Sequence, residues 1–191
     1  MEIGDMIPVF GNWFYLNFVE NEGMAYGWKF GGEYGKLMLS IFRLIAIAGI
    51  GVYLFSIIRK KHHTLLIISI SMIFAGAIGN MIDSAFYGLV FSGSDHFTLA
   101  EFMPEGGGYA GFLHGKVVDM FYFPIAEGVW PSWVPFFGGD DFMFFRPVFN
   151  IADASISIGV AMLLIFQKKF YTGKNHISGT IIDEEEAEEV I

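Results

Sequence analysis

The sequence predicts a mainly α-helical membrane protein with a small β-platform and one long loop, both on the same side of the bilayer. Three observations predict it. Of 191 residues, 54% are apolar and 18% aromatic, and the mean hydropathy is +0.52, well beyond the composition of a soluble domain. Three stretches, 37–58, 64–82 and 148–166, are apolar over the length that crosses a hydrocarbon core of about 30 Å, which takes about 20 helical residues. Cations flank these stretches unequally: Arg59-Lys60-Lys61 joins the first two, and Lys168, Lys169 and Lys174 follow the third. The positive-inside rule puts both basic segments in the cytoplasm, so 1–36 and 84–147 lie outside.

Residues 7–30, with Phe10, Trp13, Phe14, Tyr15, Leu16, Phe18 and Val19 between turn residues, read as extended structure on that outer surface. The segment 84–147 mixes Gly106-Gly107-Gly108, Gly138-Gly139 and several prolines with Trp130, Trp133, Phe136, Phe137, Phe142, Phe144 and Phe145. Aromatics at that density suit a membrane interface or a covered site. One integral domain over 1–170 is expected, followed by a disordered acidic tail over 171–191. The formal charge of −9 comes largely from that tail, since six acids fall in the seven residues 183–189. No basic patch suits nucleic acid, and the absence of cysteine excludes disulfides, thiol nucleophiles and thiolate metal sites. The five histidines show no ligand spacing, so neither a metal nor another cofactor is expected. Three spans with a cytoplasmic C-terminus leave Met1 outside with nothing to export it, which suggests a further helix upstream.

Inside the apolar blocks the informative residues are the costly ones: Arg43, Asn80, Asp83, Asn150 and Asp153. A charge at the centre of a spanning helix costs about 2.5–3.5 kcal/mol on insertion scales and is kept for a reason. With a helix beginning at Val148, Asp153 sits roughly 7–8 Å below its outer end. Asn150 neighbours Asp153 on one helix face. Asp83 closes the outer end of the second span and reads first as a helix-end carboxylate. Asn80, one turn deeper, and Asn150 read as interhelical hydrogen-bonding groups, with Gly76, Ala77, Gly79 and Ala152 allowing close approach. Arg43 reads as a snorkelling charge. Asp119 lies in the β-rich run 117–123, where a lone acid ordinarily marks the solvent side of a strand.

Carboxylates therefore gather near one membrane surface, and two brought together would form an aspartic peptidase dyad. One member takes a proton from water while the other, protonated, polarises the scissile carbonyl. The competing reading is an ion- or proton-coupled carrier using Asp83 and Asp153. That reading predicts acids near the midplane and broken helices. A non-catalytic scaffold is the third, and it leaves Asp153 without a purpose.

Four segments together resemble the lipoprotein signal peptidases, also called signal peptidase II: Glu20-Asn21-Glu22-Gly23-Met24-Ala25-Tyr26-Gly27, Gly76-Ala77-Ile78-Gly79-Asn80-Met81-Ile82-Asp83, Val117-Val118-Asp119, and Phe149-Asn150-Ile151-Ala152-Asp153. The resemblance implies a catalytic pair at Asp119 and Asp153. It makes Asn21 and Gly23 part of a substrate-binding motif, with Asn80, Asp83, Asn150 and Ala152 supporting the pair. The substrate it implies is a prolipoprotein with a diacylglyceryl cysteine, cut just before that cysteine. The enzyme would be monomeric, surrounded by membrane lipids, in the bacterial inner membrane with its site at the extracytoplasmic surface. Departures are specific. The family opens with a membrane helix carrying Asp and Lys, and has four spans rather than three. Ser84 replaces an Arg and Tyr26 a Phe. An aromatic- and Gly-rich insertion around 124–146, containing the rival acids Asp140 and Asp141, lengthens the spacing between the two aspartates.

Overall fold

The computed structural model describes residues 3–22, 32–95, 98–144 and 147–188. Side chains at 32, 33, 126, 127, 143, 144 and 171–188 lie outside the description. The elements run β1 (Met6–Phe10), β2 (Phe14–Asn21), α1 (Gly32–Arg59), α2 (Thr64–Val90), β3 (Val117–Tyr122), β4 (Ala126–Val129), β5 (Asp141–Phe144), β6 (Val148–Phe149) and α3 (Ile151–Glu188). Among the described residues three helical spans, Tyr34–Arg59, Thr64–Val90 and Ile151–Phe170, are long and apolar enough to cross a membrane. The protein is a mainly helical, multi-pass membrane protein.

The chain divides into two compact units, Met1–Phe42 with Asn80–Ile151, and Arg43–Gly79 with Ala152–Ile191. The first holds a four-stranded antiparallel sheet in the order β1-β2-β3-β6 and a separate β4-β5 pair. A tight turn at Gly11, with φ +50, joins β1 to β2 and sets Phe10 opposite Phe14. Phe14 and Phe123 stack at 4.6 Å, and Phe123 stacks on Phe149 at 5.8 Å, so aromatic pairs run across the sheet.

A strap over residues 108–115 binds the last turns of α2. Its N–H groups at Ala110 and Gly115 donate to the carbonyls of Gly88 and Ser84 at 2.9 and 2.8 Å. Met103 likewise donates to Val90 at 2.7 Å, satisfying a carbonyl that the helix end leaves free. The backbones are so close that a Cβ on Gly108 would stand 2.1 Å from the Gly88 oxygen, and one on Gly115 2.5 Å from that of Asp83. Ser40 of α1 donates to the Leu113 carbonyl at 3.1 Å. The strap delivers the chain directly into β3.

In the second unit α2 and α3 meet along small residues. A Cβ on Gly76 would lie 2.3 Å from the Ala152 oxygen, and one on Gly159 2.7 Å from the Ser69 oxygen. Between these contacts Ser155 donates to the Met72 carbonyl at 2.8 Å. Such a seam lets packing and hydrogen bonds act where lipid supplies no hydrophobic drive.

Three boundaries differ from the sequence expectation. The second helix continues past 82 to Val90, because the strap supplies partners for its final carbonyls. Asp83 therefore sits inside a helix rather than closing it. The third helix begins at Ile151, because Val148 and Phe149 pair with Tyr122 and Phe121 as β6. Asp153 accordingly occupies the first turn of α3, not a level 7–8 Å down. At the other end α3 is helical to Glu188, into the segment expected as a disordered tail, whose residues include good helix formers and no proline.

Gly76→Ala should lower the melting temperature in detergent, at an overpacking cost of about 1–3 kcal/mol. Gly49→Ala, where nothing lies within 4 Å of the added carbon, should be neutral or mildly stabilising.

Candidate functional site

β3 presents two faces with different chemistry. Val19 pairs with Asp119 and Asn21 with Val117, so these four side chains share one face. Glu20 pairs with Val118 and shares the opposite face with it. The alternation separates the neighbours Glu20 and Asn21 into two clusters.

On the first face Asp119 is 4% exposed, the reverse of the solvent-facing strand acid expected from local pattern. Its two oxygens take different donors. The Asn21 carboxamide nitrogen donates to Oδ2 at 3.1 Å, and the Asn150 nitrogen to Oδ1 at 2.8 Å. Asn150 also donates to Asn80 Oδ1 at 3.1 Å, so one amide group bridges the β3 carboxylate and α2. Buried carboxylates are tolerated where hydrogen bonds replace water, and here neutral amides provide them. Asp83 belongs to the same part of the chain. Its carboxylate is hydrogen-bonded by Tyr87, one turn on, and by the backbone of Val118, the residue before Asp119. It thus fixes the backbone of β3 rather than simply ending a helix.

On the second face the Lys116 ammonium pairs with Glu20 at 2.5 Å and lies 5.5 Å from the centre of the Tyr109 ring. Ser94 donates to Glu20 as well. The Lys116 N–H donates to the Tyr109 hydroxyl oxygen at 2.7 Å. Burial pushes the Tyr109 phenol above its ordinary value; the Lys116 N–H opposes this, and the Glu20 and Asp83 carboxylates add to it. This cluster ties the strap to β2 and was not anticipated. Its signals were the placement of Glu20 beside Asn21, with the side-chain alternation of a strand, and the single lysine in 84–147.

In the second unit Asp153 is half-buried, and the Arg43 guanidinium acts on it electrostatically. Arg43 is therefore more than the lipid-facing snorkelling charge expected. Ala152 belongs to the α2–α3 seam, with its Cβ 3.3 Å from where a side chain on Gly79 would begin. Of the predicted residues, Asn21, Asn80, Asp119 and Asn150 form one hydrogen-bonded group and Asp83 supports its strand. Gly23 lies outside the described residues. Asp140 and Asp141 are exposed. Among the described residues no three His, Asp or Glu side chains gather to form a cation site.

The family model of signal peptidase (SPase) II matches residues 1–168. A lipoprotein signal peptidase of Porphyromonas gingivalis is 56% identical over 155 residues, covering 80% of this chain and 66% of that protein. One from Amoebophilus asiaticus is 35% identical over 168 residues, covering 86% of this chain and 66% of that protein. The chain thus spans 66% of the length of these relatives. A solved bacterial membrane enzyme superposes with a TM-score of 0.51 at 29% identity, covering 88% of this chain and 74% of that one.

Two outcomes follow. Asn150→Ala removes a donor shared by Asp119 and Asn80 and should cost about 1–3 kcal/mol of stability, read as a lower melting temperature. As pH rises through about 10, the unfolded chain releases the Tyr109 proton before the folded chain does, so stability falls there. Tyr109→Phe should flatten that fall in melts recorded across the same range.

Proposed function

The chain belongs to the signal peptidase II family, and from that premise we propose that it is an aspartic endopeptidase that removes signal peptides from diacylglyceryl-modified prolipoproteins, with Asp119 and Asp153 as its catalytic pair. The observation that carries this reading is the buried Asp119 carboxylate, held from both sides by Asn21 and Asn150. A carboxylate placed so deliberately in a membrane protein is kept for chemistry.

In the proposed reaction one carboxylate accepts a proton from water as the oxygen attacks the carbonyl preceding the lipidated cysteine. The other, protonated, donates a hydrogen bond to that carbonyl and stabilises the charge developing there. The roles exchange as the tetrahedral intermediate collapses, and the leaving amine takes the proton. Asn21 and Asn150 orient Asp119, Asn80 orients Asn150, and Asp83 holds the Val118 backbone. Arg43 places a positive charge within electrostatic reach of Asp153. Gly23 belongs to the substrate-binding motif, and Ala152 lets α3 approach α2.

The site would face the extracytoplasmic surface of the inner membrane, where the lipid anchor holds the scissile bond near the bilayer. One copy suffices, because both carboxylates belong to one chain. The carrier reading with Asp83 and Asp153 draws no support from the relatives.

Chromosomal Asp119→Asn and Asp153→Asn alleles should each lower cleavage by at least about 100-fold, with the variant still inserted at normal abundance. Diacylglyceryl prolipoprotein would then accumulate, seen by mobility shift. Normal processing in either strain removes that residue from the pair.

A further inference from the structure

The insertion between β3 and β6 has a surface that the proposed chemistry does not use. Between Ala126 and Phe144 lie two tryptophans, four phenylalanines and three acids, with no Lys, Arg or His. β4 and β5 pair as a hairpin, with Gly128 opposite Phe142. The missing side chain at Gly128 leaves space that the Phe142 ring fills, and Trp130 packs on that ring at 5.0 Å.

The hairpin tip is a built structure. Trp130 N–H donates to Asp140 and Gly139 N–H back to Trp130, each at 2.9 Å, closing the loop at its base. Inside it Val134 donates to Pro131 and Gly138 to Val134, each at 3.0 Å. Yet its large side chains point away from the protein, with Phe136 97% and Trp133 79% exposed, and Phe137 also exposed. Phe136 is held at φ 69, a left-handed conformation unfavourable for a bulky residue and retained where the surroundings impose it. The loop holds a strained backbone and so displays a phenylalanine in full.

We propose that this tip is a lipid anchor: Trp133, Phe136 and Phe137 enter the interfacial zone of the bilayer leaflet at which α3 begins. Connectivity supplies the partner. Phe144 ends the hairpin and the α3 span starts at Ile151, so the seven Cα-to-Cα steps from position 144 to position 151 limit the separation to roughly 25 Å. The base of the hairpin is thus tethered within that distance of the residue at which a membrane-crossing segment of its own chain begins. Trp and Phe at the interface are the chemistry of aromatic belts. Without cations and with Asp140 and Asp141 at its base, the anchor works through apolar contact and is insensitive to salt and to anionic lipid.

The chain has no cysteine, so Phe136→Cys carries a single spin label in phosphatidylcholine proteoliposomes. Accessibility to oxygen and to a water-soluble nickel chelate should place the label roughly 5–10 Å below the headgroups at any salt concentration. A label at Gly106→Cys, whose surroundings are open, should remain in water. Where the label disturbs the tip, quenching of tryptophan by brominated lipid in the unsubstituted protein decides, with Trp133→Phe reducing the quenched fraction. Equal chelate access at 136 and 106 overturns the proposal. So does protection that arises only with added lipidated peptide, which marks a substrate lid, or only at high protein density, which marks a self-contact.

Discussion

A carboxylate removed from water must find its hydrogen bonds inside the protein, and the first unit is arranged around meeting that demand for Asp119. β2 contributes Asn21, the residue before α3 contributes Asn150, and α2 contributes Asn80 behind it. Asn21 and Asn150 donate through neutral amides, one to each carboxylate oxygen. Through them the carboxylate is held by groups from β2 and from the residue preceding α3. The sheet register is bound to the same demand. A slip of one residue between β2 and β3 would turn Asn21 away from Asp119 and bring Glu20 onto its face, placing two acids together.

The same strand carries a second task on its other side. Glu20, Lys116, Tyr109 and Ser94 join the strap to β2 through an ion pair, a ring and backbone donors. Asp83 adds a third attachment, to the backbone beside Asp119. β3 is thereby fixed from both faces and along its edge. That rigidity keeps the Asp119 carboxylate in one position relative to its amide donors.

How much of this the sequence disclosed follows from which forces act locally. Lipid imposes length and apolarity on any crossing helix, so all three spans were legible from hydropathy. Their outer ends were not. α2 continues to Val90 because residues 103 and 108–115 return to bind it, and α3 starts late because Val148 and Phe149 pair with β3. Both depend on partners distant in sequence. Asn80 and Asn150 stand out by their cost inside apolar blocks, Asn21 and the role of Asp119 come from the family resemblance, and the burial of Asp119 was missed. Strand alternation says that two faces exist and leaves open which one is covered. Lys116 was missed because its partner is 96 residues away.

The pairing of β3 with β6 also bears on how such a chain can change. Phe121 faces Phe149 and Tyr122 faces Val148, so both ends of the intervening segment are clamped side by side. Closing a longer loop between clamped ends costs free energy only logarithmically. The stretch from Tyr122 to Val148 can thus lengthen, shorten or be replaced while the strand that bears Asp119 and the residues leading into α3 stay in register. In evolutionary terms, the distance in sequence between the two aspartates is uncoupled from the geometry around Asp119. New surface elements can be tried at this point while the register that places Asp119 is kept.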